Sequence, residues 1–208
     1  MSVQRGRSRA HGAPRVLPGA RLTGGDACGR RLVTVTGRNM RASTGLVRAA
    51  CFNILGEMVQ GADILDLFGG IGSLGLEALS RGAASATFVE LRRDRAAVIS
   101  ENASILGYGP LTRVVTGDAI AWLGANQTTV PEFQVILMDP PYLEAGPTTC
   151  LRALEILGAI AGRSPQWRAV VVVEHHRQLQ VPEVVGSLTR VRESQYGMTT
   201  LSFYRKQP

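Results

Sequence analysis

From Ala62 onward the chain alternates short apolar runs with amphipathic stretches. "ADILDLF" (62–68), "SATFVE" (85–90), "LTRVVTGD" (111–118), "FQVILMD" (133–139) and "RAVVVVEHH" (168–176) are compact and rich in β-branched residues. They predict five strands. The stretches between them predict helices: "SLGLEALSRG" (73–82), a second from about 94 to 106, a short one through Trp122, and one from about 148 to 160. The chain then changes habit, because "LTRVRESQYG" and "MTTLSFYRK" (188–206) are two β-runs joined near Gly197. Five βα units ending in a hairpin describe an α/β fold, a doubly wound, mostly parallel sheet with an antiparallel end.

The first 60 residues follow another pattern. Residues 1–19 are rich in Arg, Gly, Ser and Pro without periodicity, which predicts a disordered basic tail. "RLTGGDACGRRLVTVTG" (21–37) has two β-like runs separated by glycines and predicts a small hairpin. In "STGLVRAACFNILGEM" (43–58), Val47, Cys51, Ile54, Leu55 and Met58 recur at helical spacing, and Ser43 or Thr44 can cap the start. The expected organisation is therefore a tail over 1–19, a hairpin and helix over 20–60, and a main domain over 61–208.

Charge changes this picture at one end. The chain has 208 residues and a net charge of +7, and every positive side chain except Lys206 is an arginine. From Arg5 to Arg48 ten arginines face a single acid, Asp26. Such a block favours an anionic partner, nucleic acid above all. Cys28, Cys51 and Cys150 are far apart and form no CxxC pair, which argues against a disulfide framework or a zinc site. The start lacks the apolar core of a signal peptide, and no run approaches the roughly 20 residues of a membrane helix. The expectation is a soluble, cytoplasmic protein.

Candidate chemistry gathers at the carboxyl ends of the strands. "GIGSLG" is a G-x-G-x-x-G at Gly70, Gly72 and Gly75, placed after a strand and opening a helix. Glu90 lies 20 positions after Gly70, where a carboxylate takes a ribose hydroxyl pair. Dinucleotide and adenosylmethionine enzymes share that geometry. Asp66 favours the second, because a carboxylate there repels a pyrophosphate but suits an ammonium group. Asp118 is placed to accept from an adenine amino group.

The fourth strand ends in Asp139-Pro140-Pro141-Tyr142. An aromatic amino group is a poor nucleophile because its lone pair is delocalised into the ring. If Asp139 and the carbonyl of Pro140 accept its two hydrogens, the lone pair can turn toward an electrophilic methyl group. Proline has no N–H to compete and a fixed φ, so the acceptors are held rigidly. Tyr142 can stack on the base. "EHH" at 174–176 suggests a metal cluster, but neighbours on a strand point to opposite faces, so no metal is expected. Trp122 and Trp167 read as packing residues.

With these motifs placed, the chain resembles the RsmD-type family of 16S rRNA guanine-N2 methyltransferases. The resemblance spans roughly residues 21–205. It rests on "RLTGG", R-x-S-T-x-x-V-R before "FNIL", "DLFGGIGSLGLEALSRGA", "FVE", "GDA", "MDPPY" and "YGMTTLSFYR". It implies a Rossmann-like class I methyltransferase fold, S-adenosylmethionine as donor, and a small-subunit rRNA guanine as target, met as rRNA or an assembly particle by a monomer.

By the same resemblance Asp66, Gly69 and Gly72 hold the methionine part of the donor, Glu90 the ribose, and Asp118 and Ala119 the adenine, with Gly70 also among the cofactor-binding residues. Asp139, Pro140, Pro141 and Tyr142 hold the target base, while Arg21, Arg41, Thr44 and Arg48 serve the RNA side. The chain departs from the family run at Ala42, Gly45, Leu46 and Ala49, where Pro, Asp, Arg and Glu are usual, and Met198 replaces an acid. Three other readings share part of these motifs: a DNA amino-methyltransferase, an NAD-dependent oxidoreductase, and a noncatalytic RNA-binding relative.

Overall fold

The computed structural model describes residues 15–34, 44–141 and 146–207, with side chains from Arg21 onward. The expected tail up to Pro14, Arg41, Ser43 and Tyr142 lie outside the described residues.

The N-terminal segment forms strands β1 (Arg15–Arg21) and β2 (Arg31–Thr34), paired antiparallel. β1 thus starts inside the stretch expected to be an unstructured tail. "VLPG" reads as a break because proline cannot donate to a ladder. The strand tolerates it because the register shifts between Val16 and Arg21, the interval that contains Pro18 and Gly19. Helix α1 (Gly45–Leu55) follows, with the Thr44 hydroxyl accepting from the Val47 N–H at 3.3 Å. Its buried face is Val47, Arg48, Cys51, Phe52 and Leu55.

The main domain alternates as its apolar pattern predicts. Its elements are β3 (Asp63–Asp66), α2 (Ser73–Ser80), β4 (Ser85–Glu90), α3 (Arg93–Leu106), β5 (Thr112–Thr116), α4 (Ala119–Ala125), β6 (Val135–Met138), α5 (Gly146–Arg163) and β7 (Val170–His176). The short β8 (Val184–Val185), then β9 (Leu188–Tyr196) and β10 (Thr199–Lys206), complete it. The sheet order is β5-β4-β3-β6-β7-β10-β9-β8. β3 to β7 are parallel to one another, while β10 runs antiparallel to both β7 and β9.

Helices on both faces bury the sheet twice, which is why β6 and the "VVVV" of β7 are apolar at consecutive positions. On one face Ile64, Leu137, Val172, Leu201 and Phe203 pack against α1, α2 and α3. On the other, Leu65, Ile136, Val171 and Tyr204 pack against α4 and α5. Trp167 is buried in the second core and Trp122 packs at its margin. The three cysteines are free thiols. Among the described residues no helix is long and apolar enough to cross a membrane.

Candidate active site at the carboxyl ends of β3, β4 and β6

The chain runs from β3 outward through β4 to β5, then returns to lay β6 on the other side of β3. Ligands of open α/β sheets bind in the crevice outside such a reversal. The register shapes that crevice. Asp66, the last residue of β3, pairs with Phe88 of β4 and with Leu137 of β6. Glu90 stands two residues past Phe88, and Asp139 two past Leu137. β3 therefore ends below its neighbours and leaves a notch, with Glu90 on one wall and Asp139 on the other. The two flanking strands lie about 10 Å apart, twice the usual strand spacing.

The glycine turn fills the floor of this notch. Gly70 and Gly72 have φ of 57° and 87°, the left-handed region that side chains disfavour. Gly75 serves closeness instead: a Cβ there would lie 2.3 Å from Phe88 Cε1, so only glycine lets α2 settle on β4. Gly69 donates to the Val89 carbonyl at 3.0 Å, and Gly72 to the Gly69 carbonyl at 2.7 Å.

Each predicted donor residue can now be placed. Asp66 is buried, and its Oδ2 accepts from the Gly75 N–H at 3.1 Å. Its Oδ1 is also buried, with no hydrogen-bond partner among the described residues. Burial pushes the carboxyl pKa up to about 7, partly opposed by the backbone amides of Gly75 and Phe68, while the charge of Glu90 raises it further. A buried acceptor without a donor is costly. An ammonium group suits it in charge and in hydrogen bonding.

Glu90 accepts from the Gly70 N–H at 2.8 Å through Oε2 and from the Arg92 N–H at 2.9 Å through Oε1. It therefore ties the turn to the tip of β4. Asp118 caps α4, accepting from the Ala121 N–H at 2.8 Å, with Ala119 buried behind it. Asp139 is half-buried, Pro140 buried and Pro141 exposed. Asp66, Gly69, Gly70, Gly72, Glu90, Asp118, Ala119 and Asp139 to Pro141 thus share one edge of one sheet.

The RNA-side set divides. Thr44 is exposed at the start of α1, and Arg21 is exposed with its guanidinium donating to the Gly29 carbonyl at 3.3 Å. Arg48, which the resemblance places on the RNA side, is buried. It is 1% exposed, and its Nε donates to Glu77 Oε2 at 3.0 Å. The same guanidinium donates to the Arg21 carbonyl. The reason is the second ion partner on α2. Fully buried, Glu77 also receives Arg81 Nε at 2.8 Å, the Thr23 N–H at 2.8 Å and the Thr23 hydroxyl at 2.7 Å. A buried carboxylate needs such compensation, and α1 supplies part of it.

Two residues that the sequence reading passed over bear on the site. Glu77 is one. Asn102, buried on α3, is the other: its Nδ2 donates to the carbonyls of Ile71 at 2.9 Å and Val33 at 3.0 Å, and its Oδ1 accepts the Val33 N–H at 2.7 Å. The available signal was a polar residue within the apolar stripe of Val98, Ile99 and Ala103. In the "EHH" run His175 points away from Glu174's face, with Nε2 3.0 Å from the Ser202 hydroxyl, and burial lowers its pKa.

Comparison with known proteins agrees with this geometry. Over 187 residues, 90% of each chain, the protein is 31% identical to ribosomal RNA small subunit methyltransferase D of Escherichia coli strain K12. It superposes on the yhhF protein of Escherichia coli with a TM-score of 0.73 at 28% identity, covering 90% of this chain and 97% of that one. An RNA methyltransferase from Salinibacter ruber, solved in complex with S-adenosyl-L-homocysteine, shares the fold, with a TM-score of 0.57 at 17% identity over 78% of this chain and 92% of that one. Residues 20–205 match the family model described as conserved hypothetical protein 95, and the chain belongs to that family, the RsmD type that its motifs resemble.

Proposed function

We propose that this protein transfers a methyl group from S-adenosylmethionine to the exocyclic N2 amine of a guanine in small-subunit rRNA. The observation that carries the reading is the notch itself. A turn held by Glu90, an unpartnered buried oxygen of Asp66, and the Asp139-Pro140-Pro141 turn meet at the reversal of strand order. The membership of the family and the name of the Escherichia coli relative point to the same reaction.

The residues fit the donor. Asp66 Oδ1 would receive the ammonium of its methionine part, Glu90 the ribose hydroxyls, and Asp118 with Ala119 the adenine. The donor supplies a methyl group on a sulfonium, electrophilic without further activation. Asp139 and the Pro140 carbonyl accept the two hydrogens of the target amine and turn its lone pair toward that methyl. The methylated nitrogen is cationic and readily gives its extra proton to Asp139, which already accepts that hydrogen, so positioning replaces a strong base. Tyr142 would stack on the base. A guanine inside a helix must leave its stack to reach this depth, which suits a single-stranded or opened region of rRNA.

The protein works as a cytoplasmic monomer on rRNA or on a small-subunit assembly particle. The test is single-turnover methylation with labelled donor, offering naked 16S rRNA, immature small subunits and duplex DNA in parallel. Label on N2 of one rRNA guanine is the expected result. Label on DNA alone would replace the reading with a DNA amino-methyltransferase, and no transfer at all with a noncatalytic RNA-binding role.

A further inference from the structure

We propose that Asn102 is a positioning residue of the donor site, making the shape of the glycine turn depend on the docked N-terminal strand β2. The inference rests on the donor reading given above.

Asn102 is 1% exposed and sits on α3, 69 residues from Val33 and 31 from Ile71. Its carboxamide makes three bonds at once. The oxygen accepts the Val33 N–H at 2.7 Å, and the nitrogen gives one hydrogen to the Val33 carbonyl at 3.0 Å and the other to the Ile71 carbonyl at 2.9 Å. Towards β2 the side chain thus behaves like the backbone of one more strand. Towards the turn it behaves as a clamp. Only an amide offers an acceptor and two donors in this span; aspartate has no donor when ionised, and leucine has neither.

Ile71 stands at the centre of the turn. On one side Glu90 holds the Gly70 N–H, and on the other Gly72 closes onto the Gly69 carbonyl. Asn102 supplies the third restraint, from beneath. Ile71 and Val33 are 4% and 8% exposed, so water is a poor substitute for the lost bonds. A second tie runs in parallel. Thr23 and the Arg21 carbonyl are fastened through Arg48 and Glu77 to α2, the helix whose Gly75 N–H binds Asp66. The N-terminal hairpin is therefore built into the donor site, and ordering of the turn by a donor is felt at β2.

Titration calorimetry with adenosylhomocysteine, paired with amide exchange by NMR, tests this. Asn102→Ala should weaken binding about tenfold or more at a temperature where it is folded, because it orphans a buried carbonyl of the turn. In the methylation assay the loss should appear as a raised donor KM with kcat retained. Tyr108→Phe is the control: it removes the hydroxyl bond to Asp26 in the β1–β2 turn and leaves every bond between β2, Asn102 and the donor turn in place. Its affinity should stay within about twofold of wild type.

Equal weakening in both variants, or none in Asn102→Ala, would overturn the proposal. If Asn102→Ala does not fold, the wild-type protein decides. Adenosylhomocysteine should slow exchange of the Val33 amide, which touches Asn102 and not the donor, and an unchanged Val33 rate in the saturated protein would overturn the coupling. Wild-type protein that binds no adenosylhomocysteine would remove the donor reading, and this inference with it.

Discussion

Arg48 Nε lies 3.0 Å from Glu77 Oε2, with 1% and 0% of the two side chains exposed. A residue that the motif assigns to the RNA thus holds the N-terminal segment against the donor helix. Breaking a buried pair leaves a charge without compensation and costs about 3–5 kcal/mol. The two halves should differ. Arg48→Met leaves Glu77 with Arg81 and Thr23, whereas Glu77→Ala removes the one carboxylate that Arg48, Arg81 and Thr23 share. Urea denaturation should show a larger loss for Glu77→Ala, and the reverse order would mean that Arg48 holds its place through other contacts.

Glu90 is expected to act twice, on the ribose and on the Gly70 N–H. Glu90→Ala should therefore weaken adenosylmethionine binding by about a hundredfold and also lower stability by about 1–3 kcal/mol, through the orphaned amides of Gly70 and Arg92. Calorimetry and thermal melts measured together check both. Wild-type affinity in the variant would remove the ribose assignment.

Asp66 makes donor binding depend on pH. Its folded pKa, about 7, lies above the value of 3.8 usual for an unshielded aspartate, so the folded protein holds this proton more tightly than the unfolded chain. Stability contributed by this group is present below about pH 4 and is lost as pH rises toward about 7. Donor binding runs the other way, because an ammonium needs the carboxylate. Affinity should fall by up to about tenfold per unit below pH 7, with a proton released on binding. Asp66→Asn should bind weakly with a flat profile; a wild-type profile that is flat from pH 5 to 8 would place the ammonium elsewhere.

Asp139→Ala should keep adenosylmethionine affinity within a few fold and lose methyl transfer by about a hundredfold or more, since the carboxylate acts as the transition state forms. Single-turnover kinetics on rRNA or an immature subunit give the answer. Transfer at the wild-type rate would reduce Asp139-Pro140-Pro141 to a turn.

The basic N-terminus should govern affinity. Deleting residues 1–14 removes Arg5, Arg7 and Arg9 while leaving β1 intact. Binding to rRNA should weaken, and its salt dependence should become shallower by about one log unit per lost phosphate contact. Turnover at saturating RNA should persist. Unchanged affinity and salt slope would make those arginines irrelevant to the substrate.

The sequence by itself determined the main domain. Strand runs with consecutive valines, a glycine turn opening a helix, and carboxylates at the strand ends are local patterns, and a doubly wound sheet brings such ends to one edge whatever the loops do. That is why the sequence alone puts Asp66, Glu90, Asp118 and Asp139 at one edge of the sheet. It does not show the limits of β1 or the role of Arg48. Pro18 reads as a break until an irregular register absorbs it, and an arginine reads as a surface cation until a partner is buried beside it. Glu77 and Asn102 escaped for the same reason: apart from Arg81, one turn from Glu77, their partners Thr23, Val33, Arg48 and Ile71 stand 29 to 69 residues away. Burying a charge or an amide is unfavourable in isolation and becomes stable only when tertiary packing delivers matching donors and acceptors. No spacing in the chain encodes that meeting; the packing of α1, α2 and α3 onto one face of the sheet decided it.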